Sequence, residues 1–151
     1  MKNWIITILI IFMLFTTNLT SGSSPTLIAH YKMNDDAATV IVVDETGNHN
    51  GEYQLNSVAQ NTNTGASTGK INGALDFVGD ANGEHIEVAD HVDFSPALTP
   101  FSISMWVNIH DAGYFVWASK WEVGINQEWC IFTGTQKKIH SRVYDDSKNA
   151  Y

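Results

Sequence analysis

Hydrophobic and polar residues alternate along much of this chain, in short runs that end at glycine, asparagine, aspartate or proline. Because successive side chains of a strand point to opposite faces, such alternation predicts β-strands. Helical periodicity is absent over any stretch long enough to support a helix. The runs predict strands at residues 27–33, 39–43, 74–78, 85–88, 101–109, 114–119, 122–125, 129–133 and 138–144.

Residues 101–109 form the clearest of these predicted strands. Its two faces differ in character. One face is polar except for a single large side chain, the indole of Trp106. That indole is either a platform on which a sugar ring stacks or a tryptophan packed beneath a loop. The other face is wholly apolar, which predicts a core face made of Phe101, Ile103, Met105, Val107 and Ile109.

Short strands separated by turn residues predict an all-β domain, either a sandwich or a barrel. Residues 57–70 are polar and rich in threonine, asparagine, serine and glycine. This composition predicts an exposed loop inside the domain rather than a linker between two domains.

The first 24 residues have the layout of a secretory signal peptide. Lys2 carries the positive charge, residues 4–15 are almost wholly apolar, and a polar stretch continues to Pro25. The apolar run is shorter than the roughly 20 residues that span a bilayer. We therefore expect a secreted or cell-surface protein with no membrane span after cleavage; a retained N-terminal anchor is the alternative.

Charge excludes one class of partner. The formal net charge is −8, and removal of Lys2 with the signal peptide leaves −9. An acidic chain without a cluster of lysine or arginine is unsuited to a phosphate backbone, so no nucleic acid is expected. The excess of acid suits binding of a divalent cation, but ordinary solubility produces it equally.

The single cysteine has two interpretations. Cys130 alternates with Trp129 and Ile131 in a strand-like run, which predicts a buried free thiol. In an exported chain the alternative is a disulfide to a partner that lies beyond Tyr151.

Six segments, taken in order, resemble the laminin G-like domains of the concanavalin A-like lectin/glucanase superfamily. In the segment at 70–77, Asn72 stands where that family usually has glycine, and asparagine tolerates the positive φ that the turn needs. The segments are AHYKMND at 29–35, DETGNHNG at 44–51, KINGALDF at 70–77, HIEV at 85–88, FSISMWV at 101–107 and ASK at 118–120.

The resemblance implies a jelly-roll sandwich of two curved antiparallel sheets over residues 25–151. Domains of this family usually run longer than this sequence. We therefore expect the laminin G-like domain to be incomplete at its C-terminal end.

No catalytic carboxylate pair is visible in the sequence. The glucanases of the superfamily use an E-x-D-x-x-E strand, and the nearest stretch here contains Glu84 and Glu87. Their positions differ in parity, so in a strand they would point to opposite faces. Whether the protein is an enzyme is left open, with a non-catalytic role preferred.

The histidines do not form a metal-binding motif along the chain. No two of them have the His-x-His or His-x3-His spacing, so no zinc site is expected. They are His30, His49, His85, His91, His110 and His140.

Calcium is the candidate cofactor, because it prefers oxygen ligands from flexible loops. Two loops offer them, and the candidate ligands are Asp44, Asn48, Asp80 and Asn82. The alternative is that Asp44 and Asn48 only form Asx-turn hydrogen bonds with the backbone and that the second loop is an ordinary hairpin turn.

Aromatic side chains are the candidate ligand-binding residues, since sugar rings stack on indoles and phenols. The candidates are Trp106, Tyr114 and Trp121. The leading hypothesis is an exported, non-catalytic module that binds carbohydrate or an extracellular glycoprotein, with calcium as a possible aid. The alternatives are the N-terminal part of a glycan-processing enzyme of the same superfamily and a structural or adhesion domain of a surface protein.

Overall fold

The structure, a computed structural model, describes residues 24–77, 83–96, 99–109, 113–122 and 126–144. All but the last residue of the predicted signal peptide lies outside these ranges, as do the predicted calcium ligands Asp80 and Asn82. Within the described ranges, no helix has the length and apolar character needed to cross a membrane.

The described residues form three antiparallel sheets with only short 3₁₀ turns beside them, which confirms the all-β prediction. The first sheet contains β1 (Ile41–Val42), β2 (Gly51–Leu55), β3 (Val58–Ala59) and β6 (His85–Val88). The second contains β4 (Ala66–Thr68) and β5 (Gly73–Leu75). The third contains β7 (Phe115–Glu122), β8 (Asn126–Thr133) and β9 (Ile139–Val143).

Strand β2 is the centre of the first sheet. It pairs with β6 along one edge, from Gly51 opposite Val88 to Gln54 opposite His85. Along its other edge it pairs first with β1 and then with β3. The sequence pattern predicted β6 with the correct bounds, but it missed β2 and placed β3 and β4 in an exposed loop.

The core of this part is small and lies on one face of β2. Val42, Tyr53 and Leu75 are buried, and half-buried Tyr31, Met33 and Ile86 pack against them. On β2, Tyr53 is buried in this cluster, while its neighbour Glu52 is exposed.

Two sequence predictions about single residues are confirmed, one for backbone conformation and one for burial. Asn72 has a φ of 59°, the left-handed value predicted for the position where a glycine is usual. Cys130 is 7 % exposed and unpaired among the described residues, and its burial raises the pKa of the thiol despite the nearby charge of Arg142.

The prediction for residues 101–109 is wrong. The segment belongs to none of the described strands, and its presumed core face is exposed, with Phe101 at 43 % and Val107 at 49 %. An alternating segment becomes a buried strand only when a neighbouring strand and an opposing sheet cover it. Among the described residues its main aromatic contact is Phe101 against Trp129, with ring centroids 6.1 Å apart.

The predicted strand at 27–33 is also much reduced. Tyr31 makes one isolated antiparallel bridge with Asp44, and Met33 has a φ of 57°, which ends any extended run there. The jelly-roll sandwich predicted from the resemblance therefore remains a prediction, while the all-β class is established.

Close packing against Tyr53 generates a stability prediction. A Cβ atom at Gly65 would lie 2.7 Å from the hydroxyl oxygen of Tyr53, whose side chain is nearly fully buried. Because that ring has no room to retreat, Gly65→Ala is expected to lower the free energy of unfolding by about 1–3 kcal/mol. Urea denaturation followed by fluorescence measures it, with the exposed neighbour Asn63→Ala as control. Equal stability of the two variants would contradict the packing argument.

Candidate functional site

The turn from Asp44 to Asn50, called the Asp44 turn below, is built around one buried carboxylate. Asp44 is only 2 % exposed. Its Oδ1 accepts hydrogen bonds from the backbone N–H of His30 at 2.8 Å and of Thr46 at 3.0 Å. Its Oδ2 accepts from the Thr46 hydroxyl at 2.5 Å and from the N–H groups of Asn48 and His49 at 3.3 and 3.0 Å.

These bonds decide the ionisation of the carboxylate. Burial alone would raise the pKa of Asp44, but the hydrogen bonds from Thr46, His30 and His49 lower it well below its ordinary value. Burial, with a smaller contribution from the negative charge of Asp44, raises the pKa of Tyr31 to about 12. The Tyr31 hydroxyl donates a hydrogen bond to the carbonyl of His49. Since the N–H of the neighbouring His30 donates to Asp44, the segment at 29–35 is tied to both ends of the turn.

The hydrogen bond from the Thr46 N–H to Oδ1 of Asp44 is that of an Asx turn, the alternative to calcium binding at this residue. A calcium ion at this carboxylate would have to displace N–H and O–H donors that already occupy both oxygens. Asn48 is exposed, and its side-chain amide donates to Thr46 Oγ1 at 3.4 Å. Calcium binding through these two residues stays a prediction, and the hydrogen bonds weigh against it.

The Asp44 turn ends at a cluster that the sequence pattern did not reveal. His49 is buried, and its Nε2 lies 3.0 Å from Oδ2 of Asp93. Nδ1 of His91 lies 3.3 Å from the same oxygen, and the two imidazole rings are 4.8 Å apart. These three residues, the His49 cluster, come together because the 3₁₀ turn Val92–Phe94 brings Asp93 and Phe94 against the Asp44 turn.

The residues from His91 to Ser95, called the 91–95 loop, are held from the other side by Lys120. The Lys120 ammonium lies 3.0 Å from Asp90 and 2.9 Å from Glu128, and it also donates to the Ser95 hydroxyl and the His91 carbonyl. Burial alone would lower the pKa of Lys120, but Glu128 and Asp90 raise it.

The indole of Trp129 adds a third tie to this loop. Its Nε1 donates to the carbonyl of Phe94 at 2.8 Å. Since Lys120 and Trp129 face each other across β7 and β8, the third sheet holds the 91–95 loop at both of these side chains. The loop thus connects the third sheet to the Asp44 turn.

The predicted aromatic platforms are exposed to very different degrees. Trp106 is 80 % exposed and Tyr114 is 63 % exposed, although the Tyr114 ring lies 5.7 Å from Phe132. Trp121 is half-buried with its ring edge-on to Tyr144 at 4.6 Å. No contact among the described residues brings these three rings together, so Trp106 is the best-presented platform and Trp121 the poorest.

A shallow depression lies beside β4 and β5. Its volume is about 440 Å³, and it is lined by polar and small residues: Asn34, Asp35, Asp36, Ala66, Ser67, Thr68, Gly73 and Ala74. Because none of these lining residues carries a ring, the depression provides no surface for stacking a sugar.

The carboxylates nearest to a catalytic motif are engaged in other contacts. Glu84 lies 3.4 Å from the Tyr53 hydroxyl, and Glu87 accepts a hydrogen bond from the Gln54 side chain.

Comparison with protein-family models, curated proteins and solved structures finds no match to this chain. The likeness to laminin G-like domains therefore rests on the six short segments alone.

Replacement of the buried carboxylate generates the next prediction. Asp44→Asn keeps the size but turns an NH₂ group toward N–H and O–H donors. We expect it to lower the free energy of unfolding at pH 7 by roughly 3 kcal/mol, the upper end for one hydrogen bond to a charged group. Urea denaturation measures the change, with the exposed Asp36→Asn as the matched control.

The same pair of variants tests the pH dependence. Because the pKa of Asp44 is lowered on folding, its stabilisation is present above the unfolded value of about 3.9 and disappears as the pH falls below it. Wild type and Asp36→Asn are expected to lose stability between about pH 5 and 2 more steeply than Asp44→Asn. Parallel curves for all three proteins would contradict a structural role for this carboxylate.

The Lys120 contacts generate a separate prediction. Lys120→Ala leaves Glu128, whose side chain is 19 % exposed, without its cation. We expect a loss of about 2 kcal/mol in the free energy of unfolding, below the 3–5 kcal/mol for a fully buried pair. Lys138→Ala, at an exposed position on the approach to β9, is expected to change stability by less than about 0.5 kcal/mol. Similar losses in both variants would show that Lys120 does not hold the 91–95 loop.

Proposed function

We propose that this chain is a non-catalytic binding module of an exported protein, with a jelly-roll sandwich fold and a carbohydrate ligand. The glycan is either free or carried by an extracellular glycoprotein; both present the same sugar surface. The signal-peptide layout and the six laminin G-like segments support export and fold. The established all-β class is compatible with both.

The exposure of Trp106 carries the proposal for the ligand. A tryptophan side chain left 80 % exposed presents a large flat apolar surface to solvent. Sugar rings cover such a surface with their C–H faces, while neighbouring polar groups bind their hydroxyls. Ser104 and Asn108 lie two residues before and two residues after Trp106 in the sequence, both are exposed, and their side chains are polar groups of this kind.

Tyr114 is the secondary platform. Its ring is 63 % exposed, but part of it rests against Phe132, so it offers less free surface than the indole of Trp106. Its hydroxyl can both donate and accept a hydrogen bond. A binding surface with one main ring and one subsidiary ring predicts unequal effects of their removal.

The test is retention on glycans of the purified protein and its variants, by a glycan array and by affinity electrophoresis through polysaccharide gels. Trp106→Ala is expected to weaken binding by about 2 kcal/mol, the range for an aromatic hot spot, which is roughly a 30-fold loss. Tyr114→Ala is expected to weaken it less. Ile139→Ala, which removes a side chain 66 % exposed on β9, is the control and should bind as wild type does.

The assay is run with calcium and with a chelator, because two predicted calcium ligands lie outside the described residues. Stronger binding with calcium supports the calcium-assisted version. Failure of the folded protein to bind any glycan under both conditions would overturn the carbohydrate proposal. Equal loss in Trp106→Ala and Ile139→Ala would overturn the assignment of the platform.

A further inference from the structure

We propose that the His49 cluster is a binding site for a divalent transition metal ion, with zinc as the representative ion. The site joins the Asp44 turn to the 91–95 loop. It uses two imidazoles and one carboxylate, and it is distinct from both the oxygen-only calcium site expected from the sequence and the aromatic platform of the proposed function.

The donor set indicates the class of metal. Imidazole nitrogen combined with a carboxylate oxygen suits zinc and related transition ions, whereas calcium prefers oxygen ligands alone. Three protein ligands leave a fourth position open for water or another ligand. His91 and Asp93 are about half exposed, so an ion from solvent can reach the site.

The spacing of the donors is close to what such an ion requires. A tetrahedral ion with bonds of about 2.0–2.1 Å separates its ligand atoms by about 3.3 Å. Oδ2 of Asp93 lies 3.0 Å from Nε2 of His49 and 3.3 Å from Nδ1 of His91. All three ligand atoms lie within 4.8 Å of one another, so the largest adjustment is between the two imidazoles.

The surroundings assign this adjustment to His91 rather than to His49. The His49 side chain is 6 % exposed and its ring packs 4.7 Å from that of Phe94, so it is fixed in place. Nδ1 of His91 accepts a 3.2 Å hydrogen bond from the backbone N–H of Asp93. Because the His91 side chain is 49 % exposed, its ring can turn toward the other two ligands and exchange that bond for a metal ion.

The site is tested by titrating the purified, metal-free protein with zinc in competition with a chromophoric chelator. We expect one zinc ion per chain in wild type. His91→Gln and Asp93→Asn should each bind at least tenfold more weakly, since even an outer-shell partner of a metal ligand is worth 10–100-fold. Both positions are exposed, so the variants should fold. His30→Ala removes an exposed histidine at a different place and should bind as wild type does.

A second measurement does not depend on the variants. Cobalt(II) added to the wild-type protein should give the intense visible absorption of a four-coordinate ion, and zinc should displace it. Absence of saturable zinc binding would overturn the proposal, as would unchanged zinc affinity in His91→Gln. A fivefold excess of calcium that displaces the zinc would also overturn it, because an imidazole site should not prefer calcium.

Discussion

The buried carboxylate of Asp44 is the interaction on which the described structure depends most. One side chain accepts five hydrogen bonds, from the first segment at His30 and from its own turn at Thr46, Asn48 and His49. A charge with this degree of burial is tolerated only when donors surround it. The turn is therefore held together for an electrostatic reason, and together with contact with Phe94 it positions the His49 ring.

The 91–95 loop shows how such a fixed point extends through the molecule. The loop is held by the Asp44 turn through Asp93 and by the third sheet through Lys120 and Trp129. Polar ties of this kind specify one geometry, because a buried donor or acceptor left without its partner is costly. A small core is in this way supplemented by a chain of hydrogen bonds and ion pairs.

Local features of the chain were accessible from sequence, and long-range ones were not. Strand β6, the left-handed Asn72 and the burial of Cys130 depend on neighbours in the chain, and all three were predicted. The coverage of residues 101–109 depends on strands from elsewhere, so their alternation alone misled. The His49 cluster was missed because its imidazoles are 42 positions apart; the signal available was only that DETGNHNG places a histidine directly after a turn built on an aspartate.

The two proposed sites rest on opposite physical properties, and this keeps them independent. Trp106 is offered as a platform because its indole is almost free of protein contacts and can be covered by an apolar face. His49 is offered as a ligand because burial and contact with Phe94 restrict its ring, and a metal ion is bound best by a ligand already held in position. A sugar surface tolerates movement of its ring, whereas a metal site needs at least one ligand that is already held in position. The rigid, hydrogen-bonded turn is therefore the place for coordination, and the exposed segment at 101–109 is the place for stacking.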